Sequence, residues 1–237
     1  LPAVLLVHGG PFMRGASRNW SAEAQLYAGM GYRVIEPEFR GSTGYGAALF
    51  QAGWRQWGRA MQDDLADTVA WAGNQGLIDP KRVCIVGASY GGYAAMMGPI
   101  AHPGVYRCAA SFAGVSDIQL DAELADSDLP RDYLKYVMPS LVGDPSKEAA
   151  SLAEVSPLKR VAEIKVPLFI AHGDLDRRVP IENSRAFVSA AKAAGVQVDY
   201  VEYADTAHGF NNSADRTDYF RRLVQFLDRE LKASTQP

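Results

Sequence analysis

Six short apolar runs rich in β-branched residues recur along the chain: Ala3–His8, Tyr32–Pro37, Arg82–Gly87, Cys108–Ala113, Pro167–His172 and Gln197–Tyr203. Several are apolar at consecutive positions rather than alternating, as in parallel strands covered on both faces. Longer stretches with helical periodicity separate them. Met61–Ala72 sets Met61, Leu65, Val69 and Ala72 on one face, and Tyr90–Ile100, Ile181–Ala194 and Asp215–Leu231 read similarly. Parallel strands need crossover connections, and crossover helices pack on the sheet. The alternation therefore predicts an α/β fold, a mostly parallel sheet with helices on both faces. The stretch 116–159 breaks the rhythm, with Pro130, Pro139, Pro145 and Pro157 among many charges. It reads as an excursion over the C-terminal edge of the sheet, where open α/β folds bind ligands. With 237 residues and no repeat, one domain over 1–237 is expected.

Composition narrows the function. Hydrophobic residues at 48% and charged residues at 22% exclude a disordered chain. A net charge of −3 with no basic run argues against a nucleic-acid partner. The longest apolar runs, Leu1–Val7 and Tyr93–Ala101, are about half the ~18 residues that cross a bilayer, so no membrane partner is expected. No histidine and cysteine cluster has metal-ligand spacing, and neither metal nor cofactor is expected. Cys84 and Cys108 each lie inside an apolar strand and are expected to be buried free thiols. Asp63 and Asp64 read as charges favourable to a helix start, and Trp54, Trp57 and Trp71 as core packing. Residue 1 is Leu, and the chain opens into a strand with no secretory signal pattern. The expectation is a fragment or processed chain, which leaves compartment and oligomeric state open.

The sharpest chemical signal is Gly87-Ala88-Ser89-Tyr90-Gly91, between a strand and a helix. A G-x-S-x-G turn in that context projects its serine hydroxyl, and the flanking positions are small because strand and helix nearly touch. The helix start aims backbone N–H groups where an oxyanion would develop. Ser89 is thus the candidate nucleophile, and it needs a base. Of His8, His102, His172 and His208, only His208 fits the order serine, acid, histidine; it follows the last strand and precedes the last helix. The acid belongs after the strand Pro167–His172, where pattern leaves both Asp174 and Asp176 open; Asp205 reads as a loop carboxylate. His172 is expected to hydrogen-bond the backbone of its own turn. One oxyanion donor is expected from the N–H of Tyr90. The other is expected from the loop His8-Gly9-Gly10-Pro11-Phe12, a pattern similar to the H-G-G motif of lipases and esterases.

Together with Arg40-Gly41-Ser42-Thr43-Gly44-Tyr45-Gly46, His172-Gly173-Asp174-Leu175-Asp176-Arg177-Arg178-Val179-Pro180 and His208-Gly209-Phe210, these motifs resemble the catalytic domain of the prolyl oligopeptidase family. The similarity is greatest to its acylaminoacyl-peptidase and dipeptidyl-aminopeptidase branch, and it covers nearly the whole chain. It implies an α/β-hydrolase fold in which Ala3–His8 corresponds to the third strand, the first antiparallel strands being absent from this sequence. It implies Asp176 as the acid and the N–H groups of Gly10 and Tyr90 as the oxyanion hole. His8 stands where other branches place a tyrosine donor. It further implies Arg178 as a ligand of a substrate carbonyl, and Phe12, Ile118 and Val179 as pocket residues. The family's N-terminal β-propeller has no counterpart in these 237 residues and is implied as a missing partner domain. Ile118 stands where dipeptidyl peptidases carry a large aromatic, which argues against strict proline specificity. The function expected is a serine hydrolase cleaving acyl-peptide or oligopeptide bonds through an acyl-enzyme. A carboxylesterase acting on small esters is the alternative, and a catalytically silent binding domain a more distant one.

Overall fold

The computed structural model describes residues 1–15, 19–124 and 129–232. Six strands form one sheet: β1 (Ala3–Val7), β2 (Arg33–Ile35), β3 (Val83–Ala88), β4 (Cys108–Phe112), β5 (Leu168–Gly173) and β6 (Val198–Tyr203). Their order is β2-β1-β3-β4-β5-β6, and every pairing is parallel. The helices are α1 (Ala22–Gly29), α2 (Ala47–Ala52), α3 (Ala60–Asn74), α4 (Tyr90–Ala101), α5 (Ile118–Leu124), α6 (Met138–Leu141), α7 (Ala149–Glu154), α8 (Glu182–Ala193) and α9 (Ser213–Lys232).

Alternate strand residues face opposite layers, so strands apolar throughout build two cores. Leu5, Ile85, Ala109 and Ile170 pack with Leu65 of α3, Met97 of α4 and Phe187 of α8. On the other face, Val4, Val86, Ala110 and Phe169 meet Tyr219, Leu223, Phe226 and Leu227 of α9, with Tyr27 of α1. The α9 stripe is thus the one its sequence period predicts.

The chain runs from β1 outward to β2, then crosses back to β3 on the other side of β1. Such a reversal leaves a crevice at the carboxyl ends of β1 and β3. The loop Gly9–Gly10 and the Ser89 turn both start there. The excursion supplies α5, a short π-helix (Tyr133–Val137), α6 and α7; its residues 125–128 lie outside the described residues.

Three expectations need correction. Cys84 and Cys108 are not separate thiols: strand register sets them opposite each other on β3 and β4, with Cα atoms 4.7 Å apart, and the sulfurs are joined. Sequence could place each on a strand but could not give the register that pairs them. Only Trp57 is a core residue; Trp54 and Trp71 are 39% and 57% exposed. Asp63 and Asp64 do more than favour a helix end. Asp64 receives a two-pronged Arg40 guanidinium at 2.7 and 2.8 Å, and Asp63 pairs with His102 at 2.9 Å.

Candidate active site

Ser89 sits between β3 and α4 with φ 58° and ψ −122°, a left-handed conformation for a residue with a Cβ. That costs roughly 1–3 kcal/mol. Two backbone hydrogen bonds hold it: its N–H donates to Phe112 O at 2.9 Å, and its carbonyl accepts from Tyr93 N at 3.0 Å. The glycines around it are there for space. A Cβ on Gly87 would lie 2.5 Å from the backbone of Gly91, and one on Gly91 would lie 2.1 Å from Val7 O. The first-strand loop closes the other side, since a Cβ on Gly9 would stand 3.4 Å from that of Ser89. Gly10, at φ +112°, carries the backbone through a turn that disfavours side chains.

Asp176 and His208 meet across the loops after β5 and β6. His208 Nδ1 lies 2.7 Å from Asp176 Oδ2. Asp176 Oδ1 accepts two backbone N–H bonds, from Arg178 and Val179, both at 2.9 Å. Burial pushes the Asp176 carboxyl up, but the hydrogen bonds from His172 and His208, the electrostatic pull of the His208 ring and the Val179 N–H outweigh it. The carboxyl is held well below the usual carboxylate range. A carboxylate only accepts, so His208 carries a proton on Nδ1, and in the neutral ring the lone pair sits on Nε2. Among the described residues no hydrogen bond joins Ser89 Oγ to His208. Such contacts commonly tighten only when substrate is bound.

The other candidates fall elsewhere. Asp174 Oδ1 accepts from Asp205 N at 2.8 Å, tying the loop after β5 to the loop after β6. His8 stacks on Phe39 with ring centroids 4.4 Å apart; its Nδ1 donates to Gly9 O at 2.6 Å and its Nε2 meets Ser42 Oγ at 3.0 Å. Arg178 and Ile118 line one cavity of about 200 Å³ on the excursion side. Val179 is buried in the core, and Phe12 packs edge-on against Phe50.

Residues 18–234 match the prolyl oligopeptidase family. The chain belongs to the prolyl oligopeptidase family. Dipeptidyl aminopeptidase BIII of Pseudoxanthomonas mexicana is 38% identical over 241 residues, covering 100% of this chain and 34% of the relative. The acylamino-acid-releasing enzyme of Rattus norvegicus is 25% identical, over 98% of this chain and 32% of its own. A puromycin-hydrolyzing peptidase of Mycobacterium tuberculosis superposes with a TM-score of 0.90 at 28% identity, covering 98% of this chain and 34% of that one. The chain therefore has the family's α/β-hydrolase fold and spans about a third of the length of the relatives it matches.

One contact of this prolyl oligopeptidase family site escapes sequence reading. Besides the expected backbone bond to Val179 O at 2.9 Å, His172 Nε2 stands 3.3 Å from Asp176 Oδ2, and its Nδ1 lies 2.7 Å from Ser184 Oγ. Both groups facing Nε2 are acceptors, so that nitrogen carries the proton. Asp176 is thereby gripped by two imidazoles on one oxygen and two N–H groups on the other. The only signal in the sequence was a second histidine four residues before the acid.

Proposed function

We propose that this chain is the catalytic domain of a serine peptidase of the prolyl oligopeptidase family, acting on acyl-peptide or oligopeptide bonds. Ser89 attacks the scissile carbonyl while His208 Nε2 takes its proton. Asp176 holds the imidazole in that tautomer and stabilises the imidazolium. The N–H groups of Tyr90 and Gly10 receive the oxyanion. His208 then protonates the leaving amine, and water releases the acyl group by the same steps in reverse. The observation that carries this reading is the strained Ser89 turn. A serine held at φ 58° between strand and helix is costly, and a functional site is where such strain persists.

Arg178, two residues past Asp176, is assigned to a substrate carbonyl on the acyl side, with Phe12, Ile118 and Val179 around the acyl group. The relatives are by name a dipeptidyl aminopeptidase and an acylamino-acid-releasing enzyme, each about three times as long as this chain, which supports a further domain, the family's propeller, as the partner of this one. Comparing turnover of an acyl-peptide anilide with that of a simple aryl acetate tests the reading. Hydrolysis of the acetate alone would identify an esterase.

A further inference from the structure

The cavity on the excursion side has apolar walls formed by Ile118, Leu134, Met138, Val142 and Trp57. Trp57 places it beside the elbow, because its ring lies 4.7 Å from that of Tyr90, the residue after Ser89. Among the described residues two ionisable groups line it, Arg178 and Asp121 of α5. Asp121 has no part in the mechanism above.

The carboxylate is held from behind. Asn183 is fully buried, and its Oδ1 accepts from Ser116 N at 3.1 Å. That fixes the amide so that Nδ2 donates to Asp121 Oδ1 at 3.2 Å. Oδ2 makes no hydrogen bond or ion pair among the described residues. The neighbouring acids are satisfied: Asp117 pairs with Lys159 at 2.8 Å, and Asp176 has the four donors described above. Among the described residues the charged groups around Asp121 are Asp117 with its lysine, Asp176, and Arg178 on the cavity wall; α6 and the π-helix contribute Met138 and Leu134. Burial, reinforced by Asp176 and Asp117 and opposed by the Asn183 bond, pushes the Asp121 carboxyl up to about 7.

We propose that Asp121 makes this cavity a pocket for a basic side chain, lysine or arginine, on the residue whose carbonyl Ser89 attacks. The inference rests on the peptidase reading. An apolar wall suits the methylenes of such a side chain, and the half-satisfied carboxylate takes its cation. Asp121 is part-buried with one carboxylate oxygen unpaired among the described residues, which is costly when ionised, and a bound cation relieves that cost. A neutral side chain of the same length fills the wall and leaves the carboxylate unpaired.

The test uses two peptidyl diphenyl phosphonates, identical except for lysine or norleucine at the acyl position, and reads the rate of covalent labelling of Ser89. At pH 8 the lysine probe should label about 10- to 100-fold faster, the range for one hydrogen-bonded charge pair. Asp121→Asn should bring the ratio near one. A ratio is insensitive to the fraction of variant that folds. In the unsubstituted protein the ratio should fall as pH drops through about 7 and the carboxyl takes up a proton. Equal rates, a faster norleucine probe, or a ratio unchanged by Asp121→Asn would overturn the proposal. Preserved lysine preference in labelling, with no cleavage of any peptide anilide, would refute the peptidase reading alone.

Discussion

Asp176→Asn isolates the tautomer argument, because the structure dictates which way the new amide must turn. Two backbone N–H groups, from Arg178 and Val179, point at Oδ1 from 2.9 Å. If the amide nitrogen faced them, two inward-pointing donors would lose their acceptor, at about 1–3 kcal/mol each. The amide therefore keeps its oxygen there and turns its NH2 toward His208. Nδ1 can then only accept, the proton moves to Nε2, and that nitrogen loses the lone pair a base needs. The expected loss is about 10⁴-fold in kcat/KM, or about 5 kcal/mol of transition-state stabilisation. The variant should still fold, because His172 keeps its bond to Val179 O at 2.9 Å. Asp174→Asn is the control. Its single described side-chain bond is accepted by Oδ1 from Asp205 N, and an asparagine can keep it, so activity should stay within about 3-fold. The assay is kcat/KM on an acyl-peptide anilide at neutral pH, with circular dichroism to check the fold. A loss below 10-fold in Asp176→Asn, or a larger loss in Asp174→Asn, would refute the reasoning.

Other outcomes follow from the same geometry. Arg178→Ala should lower kcat/KM for acyl-peptides about 10- to 100-fold while aryl acetate hydrolysis changes little, because the acetate lacks the carbonyl a guanidinium would hold; equal losses on both substrates would remove that role. Gly91→Ala should destabilise by about 3 kcal/mol or more, a fall of roughly 6–12 °C in melting temperature, because its Cβ would lie 2.1 Å from Val7 O. Gly29→Ala, with nothing within 4 Å and a helical position in α1, should instead raise stability by up to about 1 kcal/mol in the same melts. Asp121 carries a folded-state pKa raised above its unfolded value, so ionisation opposes folding and stability falls as pH rises from about 4 to 7. Asp121→Asn should therefore raise the melting temperature more at pH 8 than at pH 5.

How much was legible before the structure depends on which force sets each feature. The strands were read to within one or two residues because burial on both faces writes continuous apolar runs. The α9 stripe was equally plain, since one face is buried and the other solvated. Helices α1 and α2 went unseen: both are short, and α2 buries no residue fully. The Cys84–Cys108 pairing needed the β3–β4 register, which neighbouring strands settle between them. Around the candidate site, the Ser89 turn could be read locally because sterics demand small neighbours within five residues. The contact of His172 with Asp176 depends on how the 173–179 turn folds back, and no periodicity announces that. Nothing in the local sequence distinguishes Asp121 from the other acids of the excursion, and only the packing of Asn183 behind it gives it a direction.

The central claim is that Ser89 is the nucleophile activated by His208. Treating the protein with a fluorophosphonate and mapping the adduct by peptide mass spectrometry tests it directly. The account predicts one adduct, on Ser89, absent in Ser89→Ala and formed at least 10²-fold more slowly in His208→Ala. An adduct on another residue, or labelling of Ser89 at an unchanged rate without His208, would contradict it.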